Sequence, residues 1–496
     1  MAGLISSLHN SSGALRVHSK GLEVVGKNLA NVNNPAYAKQ RVSIGDRGQI
    51  NSGIATESMG VEAMELRQNR DTLLDKSVMR ELNATSGLEA AKKVLQSAET
   101  ALGQFLDRTK DSTSIQNAPG SNGGSISDAL TDFFNAWESF SVKPNDSAEK
   151  QLLIAKAQIL VDKINATDTR LSQVQSDVDQ QLKSDVDVVN QLLSEIAKTN
   201  EYIAKAELVK PFSAVDLRDQ RQAKLEQLSK YMDIQFGPVE VDPNANPPTI
   251  DPNGLGQIVV RAGGQVLVDR NAVAGQSTGD SGKVIGPFSY DATNRAIKYD
   301  LDGEGSAAPI DFISNGSLQS QINAAYVNVQ SSRDDIALLA RAIADGVNSI
   351  YEGTQGNPNT FFIDPPTSGL ITFNSNVTVS TLKGSAKTGA NDVALALAAL
   401  GTDAIAGLGP NTTFAAHFNK TVTTLAQELN STNIRLEDQK LAEEMALNSR
   451  DQYSGVSQDE EITDMMKFQR SFQASARHIN IIDTLLDQIV NRLGVG

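Results

Sequence analysis

The chain of 496 residues is predicted to be mainly α-helical with inserted β-structure: an elongated multi-domain rod whose two ends pair as coiled-coil-like helices. Three observations predict this fold class. Apolar residues recur with heptad spacing at both ends of the chain. Long helical patterns fill much of the middle. Short strand patterns, bounded by glycine, proline, aspartate and asparagine, interrupt the helices in two places.

The N-terminal segment, Leu4 to Ala30, carries a narrow apolar stripe. The stripe consists of Leu8, Leu15, Leu22 and Leu29 on one line and Leu4, Ser11, His18 and Val25 on the other. Such a stripe is typical of a helix that packs on partner helices. Because serine, asparagine and glycine fill many of the other positions, intrinsic helix propensity is low. We therefore expect this segment to be helical only beside a partner.

The C-terminal segment mirrors the first. Its two lines are Met465, Phe472, Ile479, Leu486 and Leu493, and Phe468, Ser475, Ile482 and Ile489. Alternating spacings of three and four over several heptads favour a coiled-coil helix. An ordinary amphipathic surface helix explains either end alone, but two matching seams favour pairing. The backbone entropy lost in ordering both ends outweighs the free energy gained by burying one narrow apolar stripe. We therefore expect both ends to fold on polymerisation.

Between the ends the chain is predicted to be nested. The predicted division is a terminal coiled-coil domain (1–40 and 455–496), a helical rod domain (41–233, 313–352 and 413–454), an inserted β-rich domain (234–312) and a small mixed insert (353–412). The rod domain includes a β-hairpin arm at 41–70 and a loop at 112–127. Because the helical stripes of the two halves must be buried together, we expect the terminal helices at one end and the β-lobes at the other.

Composition excludes several classes of function. The formal net charge is −15, which disfavours nucleic acid as a partner. No apolar stretch is long enough for a membrane span, and the N-terminus does not resemble a cleavable signal peptide. Cysteine is absent, and no two of the four histidines have a helical metal-binding spacing. Aromatic residues make up 5%, with one tryptophan, Trp137, which is a thin supply for a large core.

The first notable motif, Asn28 to Gln40, follows the N-terminal helix. Pro35 disfavours the helical region for Asn34 and stops the helix. The asparagines at 31, 33 and 34 tolerate turn conformations and can cap the freed carbonyls, and Tyr37 can pack back on the helix. A plain helix-ending turn accounts for these residues on chemistry alone.

Two further motifs lie deeper in the chain. Ala214 to Arg221 alternates charges at helical spacing, which predicts either a salt-bridged face or plain surface charge. In Ser454 to Glu461, Ser457 is a candidate N-cap, with Glu460 at the third helical position of a capping box. The string Phe468 to Arg477 follows on the same predicted helix.

Together these motifs resemble the flagellar axial proteins, and most closely the hook-associated protein 1 family of the hook–filament junction. The first motif is similar to N-[IL]-A-N-x-x-T-P-G-Y, with Asn34 and Ala36 in place of Thr and Gly. The second is similar to L-x-D-x-R-D, and the third to S-G-V-x-x-D-E-E followed by F-Q-x-x-[YF]-x-A-S-A-R. Alanine at position 36 predicts either that no positive φ is needed there or that the turn differs.

The resemblance implies a structural subunit that assembles at the hook–filament junction and adapts hook to filament. It implies export to the extracellular flagellum without a cleaved signal. The implied partners are further copies in a ring or stack, the hook protein, the second junction protein and an export chaperone at the C-terminal helix. Another axial protein, of the rod, hook or filament, is the alternative. The predicted assembly residues are Leu8, Leu15, Leu22, Leu29, Asn28, Asn31, Asn33, Pro35, Tyr37, Met465, Phe468, Phe472, Ile479, Ile482, Leu486 and Ile489.

No catalytic, cofactor or metal site is predicted. Gly275 to Gly279 matches the nucleophile elbow of serine hydrolases around Ser277, but a loop pattern follows it rather than a helix. A secreted hydrolase is therefore a remote alternative. The acidic stretch Asp300 to Asp311 only loosely follows a calcium loop, so an acidic turn is favoured. His18, on the apolar stripe, suggests a register-setting polar residue more strongly than a pH switch of assembly.

Overall fold

A computed structural model describes residues 2–489 with internal gaps. The gaps are 47–48, 52–55, 59, 104–124, 209–212, 243–248, 252–253, 271, 274–287, 300–307, 310–314, 353–359, 364–368, 386 and 388–389. The helices are α1 (Ala2–Ala30), α2 (Thr72–Ala101), α3 (Ile126–Val142), α4 (Ser147–Glu207), α5 (Val215–Ser229), α6 (Ser317–Asn323), α7 (Gln330–Glu352), α8 (Asp392–Leu400), α9 (Phe414–Ser454) and α10 (Gln458–Asp487). A π-helical turn, Ala324–Val329, joins α6 to α7. The chain is thus mainly α-helical, as predicted.

The strands form small antiparallel sheets. They are β1 (Gln40–Asp46), β2 (Gln49–Asn51), β3 (Thr56–Ser58), β4 (Val61–Gln68), β5 (Gln235–Pro238), β6 (Glu240–Asp242), β7 (Thr249–Ile250), β8 (Ile258–Ala262), β9 (Gln265–Asp269), β10 (Ala272–Val273), β11 (Phe288–Asp291), β12 (Ala296–Tyr299), β13 (Ala308–Pro309), β14 (Phe362–Ile363) and β15 (Thr372–Phe373). Strands β1 and β4 form the predicted hairpin, with a bulge between Ser43 and Ile44. The largest sheet has the order β10-β9-β8-β5, and β11-β12-β13 form a second.

Helix α4 is the main structural element of the rod. Its 61 residues span about 90 Å, and it packs on α3 near its beginning and on α5 near its end. Asp146 caps its N-terminus by accepting from the Ala148 amide. Leucine, isoleucine and valine recur along its buried face from Leu153 to Ile203, so one continuous core follows the helix.

The aromatic residues are concentrated around α3, which the sequence patterns do not predict. Trp137, Phe133 and Phe140 are fully buried there, next to Phe361 and Phe362 of the second insert. The ring centroids of Trp137 and Phe361 lie 5.4 Å apart. The low aromatic content therefore supplies one dense cluster rather than a thinly anchored core.

The prediction that the β-lobes lie opposite the terminal helices is wrong for the first insert. Asn200 of α4 donates to the carbonyls of Ile258 and Arg270, which fixes the β8–β9 sheet beside the C-terminal part of α4. The phenol hydroxyls of Tyr290 and Tyr326 both donate to Asp179 further back along α4. The second insert contacts α4 near its other end, where Asn165 binds the backbone of Ile371. Side-chain amides and phenol hydroxyls thus bind the inserts at different parts of the helix, and periodicity does not encode these contacts.

The two chain ends are paired, as predicted, and they run antiparallel. Ser11 Oγ lies 2.8 Å from His478 Nδ1, while Asn28 lies against Glu461 at the other end of the pair. Strands β1 and β4 pack along a second side of α1. The hydrophobic core that follows α4 contains no residue of α1 or α10. The described part of the chain therefore contains two separately packed regions, which meet at one joint.

Candidate assembly interface

Helix α1 is covered on two sides, by α10 and by the hairpin. Its fully buried positions are Gly13, Val17, Gly21, Val24, Val25 and Asn28. A Cβ on Gly13 would lie 3.1 Å from the carbonyl oxygen of Val61 in β4. The predicted single stripe is therefore incomplete, because it does not include the side of α1 that faces the hairpin.

The predicted leucine line lies at the margin of this packing. Leu8, Leu15, Leu22 and Leu29 are each only partly buried in the single chain. The second line includes Val25, which is buried, and His18, whose ring centroid lies 6.2 Å from that of Phe468 in α10. The second line therefore contacts α10, and part of the leucine surface stays open.

Gly21 of α1 lies directly against the Phe468 ring of α10. A Cβ at this position would lie 2.7–2.8 Å from ring atoms of Phe468, so any larger residue would have to displace the ring. A Cβ at Gly26 on the same helix would meet nothing within 4 Å. Packing against Phe468 thus explains the glycine at position 21 of α1. No packing contact explains the glycine at position 26.

Helix α10 buries little of itself. Met465, Phe468, Phe472, Ile479, Leu486 and Ile489 are partly buried, while Ile482 is 3% exposed. Leu493 lies outside the described residues. Four apolar side chains on the same helix face outward; they are Ile462, Met466, Ile481 and Leu485, 40–58% exposed. The helix therefore presents apolar surface on more than one side.

His18 is the polar member of the interface. Burial lowers its pKa, and its Nδ1 is buried without a hydrogen-bond partner in the described structure. Burial at this interface therefore favours the neutral imidazole.

The joint between the terminal pair and the rod is centred on Asn28. Its Oδ1 accepts from the hydroxyl of Tyr37 (2.8 Å) and the amide of Gln40 (3.0 Å). Its Nδ2 donates to the Gln40 carbonyl and to Glu461 Oε2, both at 2.9 Å. Because these four bonds use all the donors and acceptors of the carboxamide, no other side chain of this size replaces it. Asn28 thus joins α1, the hairpin and α10.

The asparagine turn that follows shapes the exit from α1. Asn31 Nδ2 donates to the Lys27 carbonyl at 2.9 Å, the capping contact that the sequence predicts. Asn34 Oδ1 accepts from the Ala36 amide, and the Pro35 carbonyl accepts from Arg450 of α9. Ala36 has no positive φ, which explains why alanine is tolerated there. Asn33 is exposed and lines an open groove of about 720 Å³ beside the α9–α10 junction.

A buried charge network supports the turn from the rod side. Arg70 Nη2 donates to Asp219 (2.7 Å) and to the Ala36 carbonyl (2.6 Å), while its Nη1 donates to Asp75. Arg450 Nη1 donates to Glu226 at 2.6 Å. Burial raises the pKa of Asp219 to about 6, although Arg70 opposes the shift. The Ala214–Arg221 motif is therefore largely a buried network rather than surface charge.

A second set of charges connects the start of the hairpin to α10. Lys39 Nζ lies 2.7 Å from Glu460 Oε2 and 2.9 Å from Glu461 Oε1. Burial alone would lower the pKa of Lys39, but the two carboxylates raise it overall. Ser457 caps α10 as predicted. The other half of the predicted capping box, in which the Glu460 carboxylate accepts from the Ser457 backbone amide, is wrong. That carboxylate binds Lys39 instead.

Sequence reasoning missed several residues of the joint. They are Lys39, Arg70, Asp75, Glu226 and Arg450. Their partners lie up to hundreds of positions away along the chain, as Arg450 and Pro35 do. One local signal was available: Arg70 stands between a strand pattern and a helix N-cap, where a long cation can reach two elements.

The chemistry that the sequence leaves open receives no support from the described residues. Among them no group of three metal-binding side chains occurs. Ser277 and nearly all of Asp300–Asp311 lie outside the described residues. No helix within the described ranges has the length and apolar character needed to cross a bilayer.

Comparison with known proteins identifies related chains. Residues 112–360, just over half of the chain, match the family model for the flagellar hook-associated protein FlgK helical domain. Residues 449–493 match the model for the flagellar basal body rod FlgEFG protein C-terminal.

Curated relatives share one name. Flagellar hook-associated protein 1 of Bacillus subtilis strain 168 is 25% identical over 550 positions that cover 100% of both chains. The Salmonella typhimurium protein of that name is 24% identical over 76% of this chain and 62% of its own length. The flagellar hook junction protein FlgK from Burkholderia pseudomallei, a solved structure, aligns with a TM-score of 0.45 and 20% identity, over 58% of this chain and 47% of that chain.

Proposed function

This chain belongs to the family of the flagellar hook-associated protein FlgK, and we propose that it is a structural subunit that joins hook to filament through its terminal helix pair. One observation carries the role of the pair. Only two of the 30 residues of α10 are buried, although its apolar positions continue around the helix. A helix with so much uncovered apolar surface needs further partners.

The leucine line of α1 supports the same proposal. Leu8, Leu15, Leu22 and Leu29 form a continuous row that the single chain covers only in part. A second terminal pair against this row would complete the burial, at about 25 cal/mol per Å² of apolar surface removed from water. We propose that these leucines, together with the partly buried residues of α10, contact adjoining subunits.

The joint sets the angle between the terminal helix pair and the rod. Asn28, Tyr37 and the Asn31–Pro35 turn are bound to the rod through Arg70 and Arg450. A subunit in a stack must hold its terminal pair at one angle to the rod. We propose that these residues act in assembly by fixing that angle, with Asn33 available at the groove for a neighbour.

The finer description extends these points. The proposed units are the terminal domain, the helical rod domain with its hairpin, the β-rich insert and the small mixed insert, with the boundaries that the sequence suggests. The proposed partners are further copies in a ring or stack, the hook protein and the second junction protein. An export chaperone that binds α10 would cover the same apolar surface before assembly. Export to the cell exterior without a cleaved signal completes the proposal.

A mechanical role in assembly requires no active site. The relatives are named as flagellar hook-associated proteins, and we propose that this chain has no catalytic activity. The family match favours the junction over the alternative of a rod, hook or filament subunit.

The test uses complementation of a strain that lacks the gene. Ile481→Asp places a charge on the outer side of α10, where the side chain is 58% exposed. We expect normal folding by circular dichroism but intact hooks without filaments, and filament monomers in the medium. Ile434→Asp on α9 is the matched control, because Ile434 is 54% exposed outside the terminal pair. Full motility with Ile481→Asp would contradict the role of α10, and loss of hooks in the deletion strain would favour a hook or rod subunit.

A further inference from the structure

A cleft of about 830 Å³ lies outside the terminal pair, between the hairpin base, the start of α2, helix α5 and the first β-insert. Five cationic side chains line it, from Arg67, Arg70, Lys76, Arg218 and Arg221. We call it the Arg221 cleft. The joint described above does not use Arg221 or Lys76, so both need a separate explanation.

Every carboxylate that lines the Arg221 cleft already has a cation. Glu65 pairs with Arg67, Asp75 with Arg70, Glu207 with Arg218 and Asp251 with Arg270. Within the described part of the chain, Arg221 and Lys76 have no carboxylate within ion-pair distance. The Lys76 ammonium lies 5.4 Å from the centroid of the Phe236 ring. The cleft therefore has positive charge that the described residues do not neutralise.

Among the described residues, Arg221 donates hydrogen bonds to neutral groups alone. It is only 8% exposed, and its Nη1 donates to Asn200 Oδ1 (2.7 Å) and to the Gly256 carbonyl (2.8 Å). Asn200 is fixed because its own amide donates to two backbone carbonyls. Among the described residues, Nε and Nη2 of Arg221 have no acceptor. Burial, with Arg218 and Arg70 nearby, lowers the pKa of the Arg221 guanidinium, and Glu207, which is paired with Arg218, only partly opposes the shift.

The wall of the cleft is shaped by close backbone approach. Gly256 has a φ of +71°, and a Cβ there would lie 2.5 Å from both Arg218 Nη2 and Glu207 Oε2. The turn at Gly256 therefore packs against the Arg218–Glu207 ion pair and brings its carbonyl to Arg221. This packing fixes one nitrogen of the guanidinium and leaves two adjacent donors available.

We propose that the Arg221 cleft binds an oxyanion, a carboxylate or phosphate group, through the Nε and Nη2 donors of Arg221 and the ammonium of Lys76. The two adjacent N–H groups of a guanidinium match two oxygens of such a group. The anion binds between the hairpin, α5 and the first insert and fixes them relative to one another. A free anion and an acidic side chain of a second copy present the same chemistry.

The test titrates the full chain with inorganic phosphate near pH 7 and follows the melting temperature. Sodium chloride at equal ionic strength is the reference. We expect a rise that saturates at low millimolar phosphate, since a site saturates whereas general exclusion of phosphate from protein surface grows with concentration. A rise without saturation, or one equal to that in chloride, would overturn the proposal.

Three variants locate the site. Arg221→Gln should abolish the saturable rise, and Lys76→Gln should weaken phosphate affinity several-fold. Lys183→Gln, the same charge change at an exposed position on α4, should leave it unchanged. Should Arg221→Gln not fold, the ¹⁵Nε signal of Arg221 in the wild-type chain must shift with phosphate, and a constant signal would refute binding there.

Sedimentation of the same samples separates the two sources of the anion. Self-association that phosphate reverses and Arg221→Gln removes identifies a carboxylate of a second copy. A chain that stays monomeric while phosphate binds identifies a free anion. Citrate in place of phosphate shows whether carboxylates bind as well, and binding of neither anion contradicts the proposal.

Discussion

Helices α3 and α10 bury very different fractions of their surface. Nine of the 17 residues of α3 are buried, among them Phe133, Trp137 and Phe140, whereas two of the 30 residues of α10 are. Both helices carry apolar residues at helical spacing. In α3 the chain itself completes the packing, with Phe361 and Phe362 from the second insert.

This difference shows that apolar periodicity indicates that a helix needs a packing partner. It does not indicate whether that partner lies in the same chain or in another one. The buried apolar cluster that follows α4 satisfies its members within one chain. The terminal pair satisfies one side of each helix and leaves the leucine line and the outer side of α10 to other chains. Four predictions test this contrast, beginning with the largest effect.

Removal of a central aromatic ring should cause the largest loss. Phe133→Ala should reduce the free energy of unfolding by about 3–5 kcal/mol, because a buried ring is lost and a cavity remains. Urea denaturation measures it. Phe468→Ala, in the terminal pair, should cost less than half as much, since that ring is only partly buried. Equal losses would show that the terminal pair belongs to the same cooperative core.

Loss of the Asn28 carboxamide should have the next largest effect. Asn28→Ala leaves the Tyr37 hydroxyl, the Gln40 backbone and Glu461 with fewer partners, at a cost of about 3 kcal/mol. We expect faster amide hydrogen exchange at Tyr37–Gln40 and unchanged exchange in α3. Asn33→Ala, in the same turn but exposed, serves as the control. Exchange that spreads into α3 would contradict the separation of the two regions.

Two glycines of α1 should respond with opposite signs. Gly21→Ala forces the Phe468 ring away and should lower the stability of the pair by about 1–2 kcal/mol. Gly26→Ala meets no neighbour and should raise it by about 1 kcal/mol through higher helix propensity. Thermal unfolding of the two variants side by side gives the comparison. The same sign for both would mean that the α1–α10 approach is looser than described.

Changes in pH should give the smallest net effect, because two groups oppose each other. Asp219, with its pKa raised by burial from 3.8 to about 6, contributes stability below the ordinary value that is lost as the pH rises through 6. His18, with its pKa lowered by burial from 6.5, contributes stability above its ordinary value that is lost as the pH falls through the lowered pKa.

Separate variants should reveal the two contributions. Asp219→Asn should leave a chain that loses stability from pH 7 to 5, and His18→Phe a chain that gains it, as measured by urea denaturation at each pH. His9→Phe, at an exposed position, controls for the loss of a histidine. A flat response in both variants would show that neither group titrates in this range.

The sequence predicts the parts of this molecule better than their mutual contacts. Heptad spacing locates α1 and α10, and Pro35 and Ser457 mark where helices end and begin. Helix α3 escapes prediction because it directly follows a stretch rich in serine, asparagine and glycine. The position of the first insert depends on hydrogen bonds such as Asn200 to Ile258, which no local pattern encodes.

The candidate interface shows the same limit. The asparagine motif predicts Asn28 as a key residue, but its four hydrogen bonds go to Tyr37, Gln40 and Glu461, in the turn, the hairpin and α10. For the motif that contains Asp219, the sequence leaves a salt-bridged face and plain surface charge open, and only the Arg70 contact at 2.7 Å decides between them. Local chemistry therefore identifies which residues matter, and tertiary contacts determine what they do.

The bond from Asn28 to Glu461 joins residues 433 positions apart. Residues at the start of the chain are synthesised first, yet their partner helix begins only at Gln458. Synthesis must therefore pass α10 before the pair can close, and a fragment that stops before Gln458 leaves α1 without this partner helix. Formation of this contact therefore reports that synthesis has passed Glu461.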